Sequence, residues 1–337
     1  MKFLLILLLV VIDQVVSVSK NVIDSQFKRI LDFDGTTFDI RLSTKSAKSY
    51  SSCYDLRRDG ETSTFCYPSI IIPGEPKCGT SAMYSFLTKQ VGIQPAKDNK
   101  EYCPGHIPTL YVYLKRFHQI PGMIYVNGCL DMQKVVDLHE MLNPKTVYIM
   151  MVRNLSDWMW AVYNFWCRPA IDEDCILGEW TKHGMFRSPT HFHDLLVMDS
   201  YSKSRKLFFS MNFLTTSYTT RIEMARNVTG ILPFVMASEA MEGPDRLTHI
   251  KRLQNYINTH LGTKLNLDIA HLHLVNTGDH RGEREVAKHT SAGLYEISGH
   301  QPILPATVEY INSKWKQCEY ISSLAQYSYN CSTVVYT

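Results

Sequence analysis

The segment from Ser69 to Ser81 constrains this chain more than any other. It reads Ser-Ile-Ile-Ile-Pro-Gly-Glu-Pro-Lys-Cys-Gly-Thr-Ser. The three isoleucines make a short, uninterrupted apolar run, as expected of a strand buried on both faces of a sheet. Pro73-Gly74 stops that run. From Thr80 to Gln90, Met83, Phe86 and Leu87 then fall on one face at helical spacing. A strand, a glycine-bearing loop and a helix start aim backbone N–H groups and the positive end of a helix dipole at one point. That geometry suits a phosphate-like anion. Lys77 adds a cation inside the loop, and Thr80 and Ser81 add hydroxyls. The nucleotide-binding pattern G-x-x-x-x-G-K-[ST] is approached but not met. Gly74 and Gly79 have the right separation, yet Thr80 occupies the lysine position. A kinase-type lysine and Mg²⁺ arrangement is therefore not expected, and the anion would be held without a metal.

The rest of the chain repeats the alternation. Val147 to Val152 is a second apolar run, followed by Leu155, Trp158, Met159, Val162, Tyr163 and Trp166 at helical spacing. Ile231 to Met236 is a third, preceding a helix over Arg246 to His260. Strands alternating with helices predict parallel βαβ units, hence an α/β fold of the P-loop type with a central parallel sheet flanked by helices. There is no internal repeat and no Gly/Ser linker, so a single main domain over 65–337 is the simplest organisation. The stretch 20–64 is polar, weakly periodic, and read as an N-terminal extension that packs on that domain. Arg153 ends the second strand and opens its helix, the position where open α/β sheets bind ligands. There it can hold a phosphate bidentately; the competing reading is a surface arginine paired with Asp157.

Composition excludes some partners. With 35 Lys+Arg against 32 Asp+Glu over 337 residues the net charge is only +3. No dense basic run is present, so nucleic acid is not expected as a partner. The 45% hydrophobic content is enough to fill a large core. Lys2 followed by the apolar run Phe3 to Ile12, with small residues at Ser17 and Ser19, predicts a signal peptide over 1–19. The run is shorter than the ~20 residues of a bilayer span; membrane attachment follows only if this segment is retained as an anchor. The expected location is the secretory pathway, in the Golgi lumen or secreted. Nine cysteines fit an oxidising compartment and leave an odd one. Cys167 with Cys175 and Cys318 with Cys331 could close short loops, and Cys78, inside the anion loop, is the candidate for the unpaired thiol. Sequons occur at Asn154, Asn227 and Asn330. Asn227 is the expected acceptor, whereas Asn154, beside the proposed site, is expected to be bare.

Taken together, Pro76 to Ser81 and the run Arg153-Asn-Leu-Ser-Asp157 resemble the sulfotransferases that use 3′-phosphoadenosine-5′-phosphosulfate (PAPS). The first resembles that family's 5′-phosphosulfate loop and the second its 3′-phosphate element. Between them, Lys100-Glu101 is similar to a Lys-Glu pair of the Golgi carbohydrate sulfotransferases. Phe234 to Met241 is similar to a strand and Ser-Glu turn before the family's late helix. The resemblance runs over roughly residues 66 to 320 and implies sulfuryl transfer from PAPS to a hydroxyl of a glycan or other small hydroxylated acceptor. It implies that Lys77, Cys78, Gly79, Thr80 and Ser81 hold the 5′ end and that Arg153 holds the 3′-phosphate. Glu101 would be the general base. Lys77 would stabilise charge growing on the bridging oxygen, and Lys100 would offset charge on the transferred group.

The family usually carries a serine eight residues after the arginine, where this chain has Ala161. Loss of one hydrogen bond to a charged group costs about 1.5–3 kcal/mol; Ser156 is the expected substitute. The same departure motivates an alternative: a protein that keeps the frame but only binds, or that acts on another anionic substrate such as a phosphorylated lipid. His280 to Arg284 is a weaker match to a basic loop covering the nucleotide. The pairs His191/His193 and His271/His273 could face zinc from one strand, but nothing nearby completes a ligand set. No G-x-S-x-G nucleophile elbow is present.

Overall fold

The structure, a computed structural model, describes residues 26–32, 34–48, 50–73, 77–97, 110–117, 123–130, 132–166, 189–197, 218–241, 244–272 and 303–314. The predicted signal segment lies outside these residues. So do Lys100, Glu101, Asn330, His273, His280 to Arg284, and both cysteine pairs suggested above.

Two sheets organise the fold. The first is antiparallel: β1 (Lys28–Leu31), β2 (Thr37–Leu42), β3 (Cys53–Arg58) and β4 (Glu61–Cys66), in that order. Its β3–β4 turn is Asp59-Gly60, both at positive φ (54° and 84°), the backbone that a two-residue hairpin of right-handed twist demands. Cys53 and Cys66 are direct cross-strand partners and form a disulfide. The polar stretch read from sequence as an extension is thus largely sheet, and that sheet runs on to Cys66.

The second sheet is parallel throughout and has five strands. They are β5 (Ile70–Pro73), β6 (Ile93–Gln94), β7 (Ile124–Leu130), β8 (Val147–Val152) and β9 (Phe234–Ala237), in the spatial order β6-β7-β5-β8-β9. The three apolar runs singled out in the sequence are β5, β8 and β9, with β9 beginning at Phe234 rather than Ile231. Every residue of these three strands is buried, because both faces of the sheet are covered.

The covering layers follow the two-residue period of the strands. Ile70, Ile72, Ile124, Val126, Val147 and Ile149 point into one core. That core is filled by α1 (Thr80–Thr88), α4 (Leu155–Trp166), α5 (Pro189–Val197), α7 (Arg246–Leu261) and α8 (Pro305–Lys314). Ile71, Tyr125 and Tyr148 point the other way. They meet Phe38, Ile40, Tyr54, Leu56 and Phe65 of the antiparallel sheet, with α2 (Leu110–Leu114), α3 (Met132–Leu142) and α6 (Tyr218–Thr229). The antiparallel sheet therefore shares a core with the parallel one. Hydrogen bonds stitch the layers together. Tyr54 O–H donates to Leu142 O at 2.9 Å, and Lys145 N–H donates to Ser52 Oγ at 2.7 Å. Asp32 receives the first two amides of α2, from Leu110 at 2.7 Å and Tyr111 at 3.2 Å.

The strand order has one functional consequence. The chain leaves β5 for the β6 edge, whereas it leaves β8 for β9 on the opposite side. The connections from the carboxyl ends of neighbouring β5 and β8 therefore diverge, which makes this the switch point at whose crevice open α/β sheets take ligands.

Candidate functional site

Both segments singled out in the sequence end at this crevice. Beyond β5 the chain enters the loop at Lys77, which has φ +67°, and Gly79, which has φ +83° and is the N-cap of α1. A β-carbon side chain at Lys77 in the left-handed region stores strain, typically of order 1 kcal/mol. Gly79 is required twice over. Its φ is one that favours glycine, and a Cβ there would stand 3.3 Å from the Cβ of Ser238 and 3.7 Å from the Cε of Met151. Because the N-cap is a glycine, it supplies no side-chain bond to the leading N–H groups of α1. Thr80 is buried, Ser81 is half-buried, and Cys78 is fully buried and outside any disulfide, as expected for the odd thiol.

Beyond β8, Arg153 crosses to that loop: its Nη1 donates to the carbonyl of Lys77 at 3.3 Å. The guanidinium is half-exposed at the crevice. Asn154 follows as the cap of α4, its Oδ1 accepting from Ser156 N–H at 3.1 Å and from Ser156 Oγ–H at 2.6 Å. Two expectations bear on these residues. Asn154 is 3% exposed with its side chain engaged, so the folded protein does not offer this sequon for glycosylation. Ser156 is also buried and directs its hydroxyl proton to Asn154. In the ligand-free protein the hydroxyl expected to serve the ligand is thus engaged with the Asn154 side chain.

A third strand end completes the cluster. After β9 comes a 3-10 turn, Ser238–Met241. Glu239 Oε1 accepts from Asn154 N–H at 3.1 Å, and Oε2 accepts from Ser238 Oγ–H at 3.3 Å. Glu239 thus fills the place that the third residue of α4 would take in a capping box. That residue is Asp157. It is 6% exposed, and its Oδ2 has no hydrogen-bond partner. Burial pushes its carboxyl up to about 6, Arg153 pulls it down and Glu239 pushes it up further. Neither Glu239 nor Asp157 was singled out as a site residue from sequence. The Ser-Glu turn was visible, but a contact between residues 154 and 239 is not encoded locally.

Of the residues expected to act, the crevice brings together Lys77, Cys78, Gly79, Thr80, Ser81 and Arg153 at the ends of β5 and β8. Lys100 and Glu101 lie outside the described residues. Of the two histidine pairs, His191 and His193 are on helix α5, His193 with Nδ1 2.9 Å from Thr307 Oγ1, and His271 is in a 3-10 turn beside Asp268, so none of these three lies on a strand. Among the described residues no group of three His, Cys, Asp or Glu side chains could hold a metal ion.

No protein-family model matches the chain, and its sequence matches no curated protein. Among solved structures the chain is similar to a sulfotransferase from Alicyclobacillus acidocaldarius, at 14% identity and a TM-score of 0.46, over 78% of this chain and 97% of that one.

Proposed function

We propose that the crevice between β5 and β8 binds PAPS and that the protein transfers its sulfuryl group to a hydroxyl, without a metal. The observation that carries this reading is the Arg153–Lys77 hydrogen bond at the switch point. It joins a lysine- and glycine-bearing loop at a helix start to an arginine at the end of the adjacent strand. Two cationic residues on adjoining strand ends suit a donor that carries more than one phosphate. Lys77 and the amides of Gly79, Thr80 and Ser81 would hold the 5′ end and favour the transition state as charge grows on the bridging oxygen. Arg153 would hold the 3′-phosphate. Glu101 as base and Lys100 as a second cation complete the proposal from the sequence resemblance, with a secretory-pathway glycan as the acceptor class. A binding-only protein is the second reading; the engagement of Ser156 in its own cap and the absence of a hydroxyl at Ala161 favour it.

The test is titration calorimetry with adenosine 3′,5′-bisphosphate beside 5′-AMP. Micromolar binding that requires the 3′-phosphate and falls at least tenfold in Arg153→Ala is expected. Equal binding of the two nucleotides, or an undisturbed Arg153→Ala, would overturn the donor assignment. Sulfate release from PAPS onto a hydroxylated acceptor separates the enzyme from the binder.

A further inference from the structure

Helix α4 takes its cap from another part of the chain. In a capping box the third residue of a helix reaches back to the N-cap N–H. The third residue of α4 is Asp157, yet the N–H of Asn154 goes to Glu239 Oε1 at 3.1 Å, 85 positions further along the chain. The other carboxyl oxygen of Glu239 accepts from Ser238 Oγ–H at 3.3 Å. This turn also lies against the anion loop, since a Cβ on Gly79 would stand 3.3 Å from the Cβ of Ser238. Asn154 is held by its own helix as well: its carbonyl accepts from Trp158 N–H at 2.8 Å, and its side chain accepts from Ser156. Arg153 therefore stands between two fixed points. On its amino side Val152 is registered on Ala237, the last residue of β9. On its carboxyl side Asn154 is held by Glu239, two residues beyond Ala237. The guanidinium then reaches across to the Lys77 carbonyl. The backbone that carries Arg153 is thus set from the β9 side twice, and a shift at Asn154 would carry the arginine with it.

We propose that Glu239 is a positioning residue of this site: holding Asn154 N–H from the turn after β9, it fixes the backbone from which Arg153 addresses an anion. This rests on the anion-site reading above and deepens it, because recognition of the 3′-phosphate then depends on a third strand end. Glu239 acts through its acceptor oxygens, not its charge, which offers nothing favourable to an anion nearby. A glutamine has the same acceptor for the Asn154 N–H, and its NH₂ group can donate to Ser238 Oγ. A side chain without oxygen can do neither.

The test titrates adenosine 3′,5′-bisphosphate and 5′-AMP into the full chain as wild type, Glu239→Gln, Glu239→Met, Arg153→Ala, and Glu239→Met combined with Arg153→Ala. Each is verified as folded by circular dichroism, and Glu239→Ala replaces Glu239→Met should the latter not fold. The quantity read is the ratio of the two affinities, which is the preference that the 3′-phosphate confers. Glu239→Gln should keep the wild-type preference. Glu239→Met, of similar length but without oxygen, should lower it roughly tenfold and leave 5′-AMP affinity little changed. In the Arg153→Ala background the Met substitution should lower the preference no further, because a residue that acts through Arg153 has nothing left to position. A merely structural residue would lower the melting temperature and both affinities together, with the ratio unmoved. That result, a loss in Gln as large as in Met, or additive losses in the combined variant overturns this proposal and leaves the anion site standing. A wild type that binds neither nucleotide, or both alike, overturns the donor site itself, and this proposal with it.

Discussion

On the antiparallel sheet, Asp39 stands opposite Arg29 on one side and Arg57 on the other, and accepts hydrogen bonds from both. Asp55 likewise sits between Arg41 and Thr64 and accepts from each. Phe27 lies under the Arg41 and Arg57 guanidiniums. The hydrogen bonds of Arg57 and Arg29 hold the Asp39 carboxyl below its ordinary range. Burial works against Asp55, but Thr64, Ser43 and Arg41 together hold it low as well. At the carboxyl edge of the parallel sheet the arrangement reverses. Asp157 is buried with an oxygen unpartnered, Lys77 occupies a strained backbone region, and the N-cap of α1 is a glycine. In the first region these carboxylates are satisfied by cross-strand partners. The second gathers a positive-φ lysine, a helix start whose N-cap glycine makes no side-chain bond, and a buried acid within one cluster of strand ends. Positive-φ backbone and a buried carboxyl with a raised pKa, met together at strand ends, are features that recur at functional sites.

That contrast can be broken by experiment. The largest effect expected is on Lys77→Ala, which should reduce sulfuryl transfer by on the order of a thousandfold while leaving the melting temperature nearly unchanged; near-normal turnover would remove Lys77 from the chemistry. Replacing Cys53 and Cys66 together by serine should do the converse. The closed loop spans 13 residues of sequence separation, so its loss should cost about 3 kcal/mol of stability with nucleotide affinity intact. A variant whose affinity fell as steeply as its stability would show that the sheet and the site are not separable.

Asp157→Asn sharpens the comparison through pH. In the unfolded chain this carboxyl sits near its ordinary 3.8; in the folded protein it is pushed up to about 6. Between those values the folded state holds a proton that the unfolded state has lost, so stability declines as pH rises through the window, by about 3 kcal/mol in total. The Asn variant should therefore melt higher than wild type at pH 7.5, with the gap closing near pH 4; a pH-independent gap would show that Asp157 is not buried as described. Asp39→Asn, on the paired sheet, should have the smallest effect of the four and the opposite sign, a slight loss at neutral pH that disappears in acid. Urea titrations at pH 7.5 and pH 3 would read it.

The parallel sheet was legible in sequence where strands are buried on both faces. Ile70–Ile72 and Val147–Val152 are apolar without interruption, and Met83, Phe86 and Leu87 mark the helix behind the loop. The antiparallel sheet was not recognised, although Phe38 and Ile40 alternate with Asp39 and Arg41, and Asp59-Gly60 is a hairpin signal. Its outward residues are charged, and averaged over forty positions those charges hide the alternation. At the site, the loop and Arg153 were legible because each is local to one strand end. Glu239 and Asp157 were not. Their roles follow from β9 lying beside β8, which brings residues some eighty positions apart into hydrogen-bonding distance.

The bonds that join the two layers also bear on how the chain is made. Asp32, Ser52 and Tyr54 find their partners at Leu110, Lys145 and Leu142, which are 78, 93 and 88 residues further along. During vectorial synthesis the β1–β4 hairpins can close from local contacts as soon as they emerge. The apolar face carrying Phe38, Tyr54, Leu56 and Phe65 then waits for α2, α3 and β8 to be translated before anything covers it. At about 5–20 residues per second that interval lasts several seconds. The nascent protein must cross it with a greasy sheet uncovered, so a folding helper that recognises exposed aromatic strands would act at this stage, before the ends of β5, β8 and β9 have come together.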